Sequence, residues 1–187
     1  MYLHDMAMTK GHVTSLVAGG WNPASKDMIM TASKDGTVRT WRPQTAKMEF
    51  ATSTVPKLQQ DGVWKIKSDR GVKVSVCAAT WLPDGSGWAV AAEDGSLQIV
   101  DIRSHQAAAA ASAVRNAHTR GTEITGLAVS MDGNVLASRG GDDTMKIWDM
   151  RYLKSGSTPL ACFDNLPNYF SNTNVIVSPD QSLFCTG

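Results

Sequence analysis

The sequence predicts an all-β chain: part of a β-propeller, with about three complete four-stranded antiparallel blades and the first half of a fourth. Three observations predict it. First, one order of residue types recurs: Thr31 to Trp41 reads TASKDGTVRTW, Val90 to Val100 reads VAAEDGSLQIV, and Ser138 to Trp148 reads SRGGDDTMKIW. Second, each stretch places an aspartate six residues before a large apolar residue: Asp35 before Trp41, Asp94 before Val100 and Asp142 before Trp148. Third, an earlier column at Trp21, Trp81, Val129 and Val177 steps by 60, 48 and 48 residues. Short strands and turns repeating every roughly 40–50 residues are the pattern of blades around a common axis.

Composition permits this fold. The chain has 187 residues, of which 42% are hydrophobic and 19% charged, enough apolar content to build a core. The net charge of +1 gives no global basic excess of the kind a duplex-binding surface needs. Cys77, Cys162 and Cys185 are odd in number and far apart, without a CxxC pair, so neither a zinc site nor a disulfide framework is expected, and a reducing compartment fits. No apolar run approaches membrane-spanning length, and MYLHDMAMTK is not a secretory signal.

In chain order, residues 1–10 are expected to hold the outer strand of a preceding blade and a linker, because YLHDM lies just before the first unit. Blade one is assigned to 11–49. IMTAS and TVRTW are short strand-like runs, and KDG between them is turn chemistry, since glycine tolerates positive φ and aspartate bonds its own backbone. Residues 50–73 are read as an insertion loop. Blade two, 74–105, has WAVAA and SLQIV around EDG. Residues 106–117 are an Ala-rich loop, expected to be disordered or partly helical because so short a helix is marginal in water. Blade three, 118–151, has LAS and TMKIW around GGDD, residues 152–172 form a linker, and 173–187 supply the first half of a fourth blade. A sheet that stops after its second strand leaves an unpaired edge, so the chain is expected to be part of a longer protein.

Gly11-His12 opens the first unit and Ala117-His118 the third, 29 and 30 residues before Trp41 and Trp148. A Gly-His-like start, a hydroxyl in the second strand, an aspartate in the turn and a closing Trp-Asp together resemble the WD-repeat family over nearly the whole chain. DMAMTKGH, MTASKDGTVRTW, GNVLASRGGDDTMKIWDMR, NLP and VSPDQSLFCTG, in that order, are similar to the gastrulation-defective-type branch, also called the WD repeat-containing protein 70 group. That resemblance implies a nuclear, non-enzymatic scaffold, with links to spliceosomal particles and to cullin-4-type ubiquitin ligases in chromatin repair.

The repeated residues have a physical role without any catalysis. A buried indole N–H needs an acceptor; a Ser or Thr hydroxyl can accept it and donate to a histidine, whose other N–H reaches a carboxylate. Unit one offers Trp41, Thr31 or Ser33, His12 and Asp35; Thr31 and Ser33 share a strand face, so both stay open. Unit three offers Trp148, Ser138, His118 and Asp142. In unit two Val100 replaces Trp, Ala92 sits near the hydroxyl position and no Gly-His opens it, so an apolar blade is expected there. Unit one ends in Trp41-Arg42 and lacks the final aspartate that Asp101 and Asp149 keep elsewhere.

Candidate partner-binding residues are Asp149 and Arg151 in WDMR, which matches the Trp-Asp-x-Arg box that propellers of this family place on a ligase adaptor, and Asp101 and Arg103 in its degraded copy VDIR. The alternation of a strand would put each Asp–Arg pair on one face, the carboxylate orienting the guanidinium fork, set against a pair that merely ties the strand end to its own loop. Trp64, Lys65, Lys67, Arg70 and Lys73 are the candidate RNA contact, lysines on phosphate and Trp64 stacking a base, set against a solvated loop with one anchoring Trp. Cys77 and Cys185 lie in strand-like runs and are expected to be core thiols. The four histidines lack metal-ligand spacing, no GxSxG is present, and the glycine turns match no phosphate loop, so no catalytic residue, metal or cofactor is assigned.

The expected function is therefore a protein–protein interaction scaffold of a nuclear multi-subunit assembly, with protein partners and neither membrane nor small-molecule substrate. The incomplete box in unit two tips the expectation toward spliceosome association and pre-mRNA splicing. The alternative is a substrate receptor or adaptor-binding subunit of a cullin-4-type ubiquitin ligase acting in DNA repair. A propeller enzyme would need carboxylates or histidines converging from several inner strands, which here offer mostly Val, Ala, Cys and small residues.

Overall fold

The computed structural model describes residues 11–44, 57–104, 110, 112–169, 174–178, 180 and 182–186. It is an all-β chain of successive antiparallel sheets. The first sheet holds β1 (Leu16–Trp21), β2 (Ile29–Ser33), β3 (Thr37–Gln44) and β4 (Lys57–Lys65), in that order. The second holds β5 (Val76–Trp81), β6 (Gly87–Ala92), β7 (Leu97–Asp101) and β8 (Ser112–Val114). The third holds β9 (Ile124–Val129), β10 (Val135–Gly140), β11 (Met145–Asp149) and β12 (Ala161–Phe163). A hairpin of β13 (Val175–Val177) and β14 (Phe184–Thr186) begins a fourth. The first strands pack side by side, β1 on β5, β5 on β9 and β9 on β13, which places them innermost. Open sheets radiating from adjacent inner strands are the architecture of a partial propeller.

Local chemistry explains the meander. The turn between second and third strands needs a residue at positive φ. Glycine supplies it at Gly36 (φ 73°) and Gly95 (φ 77°), while the third blade uses Asp143 (φ 59°), a residue type that tolerates the left-handed region. In the second and third strands successive side chains face opposite sides of the sheet, and adjacent blades cover the faces where they meet. The core therefore lies between blades. Met30, Val38, Trp64, Trp88 and Val90 fill the seam of blades one and two, and Leu97, Ile124, Leu127, Leu136 and Trp148 that of two and three. Met145, Ile147 and Val175 begin the next seam.

The outermost strands differ from the sequence expectation. The segment 50–73, expected as an insertion loop, contains β4, which pairs with β3 along its length. The 106–117 loop contains β8, and the 152–172 linker, entered from a 3₁₀ turn at Met150–Tyr152, contains β12. The physical reason is common to all three. An outer strand buries one edge through backbone hydrogen bonds and packs little side-chain surface, so KLQQDGVWK needs no apolar alternation to form. In β4 a bulge opposite Thr40 and Trp41 breaks the pattern further, and Gly62 sits there because a Cβ would run into the Trp64 ring. The expected strand in residues 1–10 and most of the Ala run lie outside the described residues.

Candidate functional site

Each complete tetrad is held by three elements. In blade one, Trp41 Nε1 donates to Thr31 Oγ1 at 2.7 Å, and that oxygen lies 2.8 Å from His12 Nε2. His12 Nδ1 lies 3.0 Å from Asp35 Oδ2. The sequence left Thr31 and Ser33 open; Thr31 takes the place, and Ser33 instead bonds Thr14 Oγ1 at 3.0 Å. The register decides it, because Ile29 pairs with Trp41 and places Thr31 beneath the indole nitrogen. In blade three, Trp148 Nε1 donates to Ser138 Oγ at 2.9 Å, His118 Nε2 lies 2.8 Å from the same oxygen, and His118 Nδ1 lies 2.9 Å from Asp142 Oδ1.

A single proton order satisfies both chains: indole N–H to hydroxyl, hydroxyl O–H to Nε2, and Nδ1–H to carboxylate. It requires neutral histidines. Burial lowers the pKa of His118 and of His12, against the opposing pull of Asp142 and Asp35. Burial pushes the two carboxyls up, but hydrogen bonds outweigh it and hold both below the ordinary range. For Asp35 these come from Thr37, His12 and the Val13 N–H; for Asp142 from the Thr119 N–H, His118 and Thr144. These residues brace the blade, and every polar atom in the chain is spoken for by a neighbour.

Blade two has no such chain. The position equivalent to Thr31 and Ser138 is Val90 rather than Ala92, because Trp88 pairs with Val100 as Ile29 does with Trp41. Asp94 folds back on its own turn, accepting from Ser96 Oγ at 2.6 Å. An aromatic cluster substitutes: Trp88 stands edge-to-face with Trp64 at 5.0 Å and with Trp81 at 5.3 Å. Trp81 also joins the inner strands, donating to Gly20 O at 2.9 Å.

At the far end of the third strands, Arg151 makes a two-pronged contact with Asp149, Nε to Oδ1 at 2.9 Å and Nη2 to Oδ2 at 2.7 Å. Arg103 repeats it on Asp101 at 3.0 and 2.8 Å. The pairs are not on a strand face as the alternation suggested. Each aspartate ends its strand, the chain turns, and the aspartate caps the turn by accepting the arginine's own backbone N–H. The guanidinium side chains are 63% and 78% exposed, and Arg151 also lies over the Tyr152 ring at 5.7 Å. The first blade has Arg42 on Asp27 at 2.5 Å instead.

Of the candidate RNA contacts, Trp64 is buried, 6% exposed, and cannot stack a base. Lys65, Lys67, Arg70 and Lys73 are exposed on β4 and the tight hairpin that follows it. Cys77 is half-buried on β5, with its thiol pushed up to about 12 first by burial and then by Glu123; Cys185 is exposed, not a core thiol. Among the described residues there is no cluster of three metal-ligating side chains, and no helix long and apolar enough to cross a membrane.

A family model described as the anaphase-promoting complex subunit 4 WD40 domain matches residues 20–119, and one described as a WD domain, G-beta repeat, matches 111–149. The chain belongs to the WD40-repeat family. Its relatives include WD repeat-containing protein 70 of Xenopus tropicalis, 40% identical over 186 residues, covering all of this chain and 27% of the relative. The human protein of that name is 39% identical over 188 residues, covering all of this chain and 26% of the relative. The Drosophila melanogaster gastrulation defective protein 1 homolog is 34% identical over 186 residues, again covering all of this chain and 26% of the relative. The chain thus spans about a quarter of the length of these curated relatives. The solved WD40 domain of Toxoplasma gondii coronin superposes with a TM-score of 0.65 at 19% identity, covering 89% of this chain and 38% of that one, and so shares the fold.

WD40-repeat proteins are generally scaffolds for protein interaction, and one further buried residue shows how this one shapes its surface. Arg139 lies between the tetrad residues Ser138 and Asp142 in the SRGGDD run and is almost fully buried. Its Nη1 donates to Gly140 O and Thr144 O at 3.4 and 3.1 Å; its Nη2 donates to Leu166 O and, at 3.2 Å, to Pro167 O. The NLP segment is thereby clasped to blade three. Nothing in the sequence joins the two stretches, because carbonyl acceptors leave no mark on residue type.

Proposed function

We propose that this chain is a non-enzymatic protein-docking scaffold of a nuclear multi-subunit assembly, associated with the spliceosome and pre-mRNA splicing. The observation that carries the docking role is the contrast between braced interior and presented surface. Buried tetrads fix the blades, while Arg103 and Arg151 stand exposed at the same end of adjacent blades, each pre-oriented by its own carboxylate. A guanidinium held by one edge keeps its remaining N–H groups for a partner and loses less entropy on binding. A scaffold also fits the recess of about 550 Å³ against the inner strands, whose one lining carboxylate among the described residues is Glu123, 3.6 Å from Lys34.

A second reading is an adaptor-binding subunit of a cullin-4-type ubiquitin ligase in DNA repair. One observation favours it: the box that looked degraded in VDIR has the same two-pronged geometry as WDMR. Tagged wild-type chain and an Arg103→Ala, Arg151→Ala double variant, purified from nuclear extract and analysed by mass spectrometry, separate the two. Splicing proteins recovered with wild type and lost with the variant support the first reading. A ligase adaptor recovered with wild type and lost with the variant supports the second. Recovery of neither set overturns both.

A further inference from the structure

Beyond β4 the chain turns back on itself as a hairpin, Ile66 to Val74, closed by Ser68 N–H to Val72 O at 2.8 Å and Val74 N–H to Ile66 O at 3.0 Å. Those two bonds flank Lys67 and Lys73, which form the bridge between them. They are therefore a non-hydrogen-bonded pair, the kind whose Cα atoms lie about 4.5 Å apart and whose side chains crowd closest. Like charges directly opposite one another destabilise a strand pair. Lys65 lies on the same face two residues earlier, since Ile66 and Val74 point the other way into the seam between blades one and two.

The hairpin is not loose. Ile66 N–H donates to Gly36 O at 3.0 Å, which mounts it on the tetrad turn of blade one, and a Cβ at Gly36 would lie 2.6 Å from Val74 O. Gln98 Nε2 and Arg115 Nη1 both donate to Lys67 O, at 2.9 and 3.3 Å, tying it to blade two. Between hairpin and blade two lies a groove of about 290 Å³ flanked by Lys65, Lys67 and Arg115, with Asp69 at its rim. A rigid mount that sustains a repulsive lysine pair beside a cationic groove breaks a local rule with no compensating ion pair among the described residues, the pattern expected where a ligand supplies the compensation.

We propose that this face docks an acidic segment of a partner polypeptide, its carboxylates lying across Lys65, Lys67 and Lys73 and one side chain entering the groove toward Arg115. Single-stranded RNA is the poorer fit. It gains its affinity from bases stacked on aromatic rings, and the aromatic ring lining this groove, Trp64, is sealed beneath Trp88. The hairpin stands at the end of the sheets that carries the Asp35 turn, whereas Arg103 and Arg151 stand at the other end, so both surfaces can be occupied together.

The test uses the full chain and a fluorescein-labelled oligoglutamate peptide, read by anisotropy at low and moderate salt, beside an oligouridylate of equal charge. The peptide should bind more tightly than the RNA, and the Lys67→Glu, Lys73→Glu double variant should weaken it about tenfold or more. Lys26→Glu, an exposed lysine in the β1–β2 turn, should leave it unchanged. Lys67→Glu alone should weaken peptide binding while raising the Tm by about 1–2 °C, because it replaces a repulsive pair with an attractive one. A purely structural role for Lys67 predicts instead that binding is unmoved. Tighter binding of the RNA, insensitivity to the double reversal, or no peptide binding at low salt would each overturn the proposal.

Discussion

His118 and Asp142 are joined through Nδ1 and Oδ1 at 2.9 Å, although 24 residues separate them and one lies in the lead-in to β9, the other in the β10–β11 turn. The carboxylate also accepts the Thr119 N–H and the Thr144 hydroxyl, both at 2.8 Å. One side chain thus fixes the entry to β9, the β10–β11 turn and the orientation of the imidazole that supports Trp148.

Asp142→Ala should therefore lower stability by about 2–4 kcal/mol, because it strands the buried His118 Nδ1–H at about 1–3 kcal/mol and also removes the acceptor of the part-buried Thr144 hydroxyl and of the Thr119 N–H. Urea denaturation with an unchanged m-value is the measurement. A variant that unfolds at the wild-type midpoint would remove the tetrad from the account of stability.

Acid should weaken the fold in two steps of the same sign. His12 and His118 have folded pKa values below the ordinary 6.5, so the unfolded chain binds more protons, and stability falls as pH drops from about 6.5 through the folded values. Asp35 and Asp142 are held below the ordinary 3.8, so a second loss begins below about that pH. Tm should be level near neutrality and decline progressively beneath it. A Tm that climbed on mild acidification would mean that the histidines are charged in the fold.

Two tryptophans of equal burial should respond differently to Trp→Phe. Trp148 donates to Ser138, whereas Trp88 Nε1 has no acceptor among the described residues. Trp148→Phe breaks a buried hydrogen bond; Trp88→Phe removes an N–H whose burial is already unfavourable. The first substitution should cost about 1–2 kcal/mol more than the second, read by chemical denaturation. Equal costs would mean that packing volume alone governs both sites.

Arg139→Ala should free the Leu166–Asn168 segment while leaving the blade-three strands protected, seen as faster amide exchange at Leu166 and Asn168. Arg139→Lys should fail to restore protection, because one ammonium cannot span four carbonyls as the planar guanidinium does. Rescue by lysine would show that charge, not the fork, holds the clasp.

These residues also mark how far the sequence carries. The Asp-to-Trp spacing, the hydroxyl in the second strand and the turn residues were legible because each acts within a few residues of itself, through φ preferences and period-2 alternation. Even Asp143 standing where the other turns have glycine obeys the same local rule. The second-column tryptophans were legible as a repeat but not in role: Trp81 bridges inner strands, while Trp21 is exposed.

By itself, then, the sequence determined the repeat, its central strands and turns, and the residue types of its hydrogen-bonded chain. Tertiary structure alone decided which hydroxyl serves Trp41, where Val90 replaces it, that Trp64 is buried rather than presented, and that 57–65 is a strand. The physical reason is range. Turn and strand preferences are written in neighbouring side chains, whereas register, outer-strand pairing and carbonyl clasps such as that of Arg139 depend on backbone groups that every residue carries alike, so only their meeting in space distinguishes them.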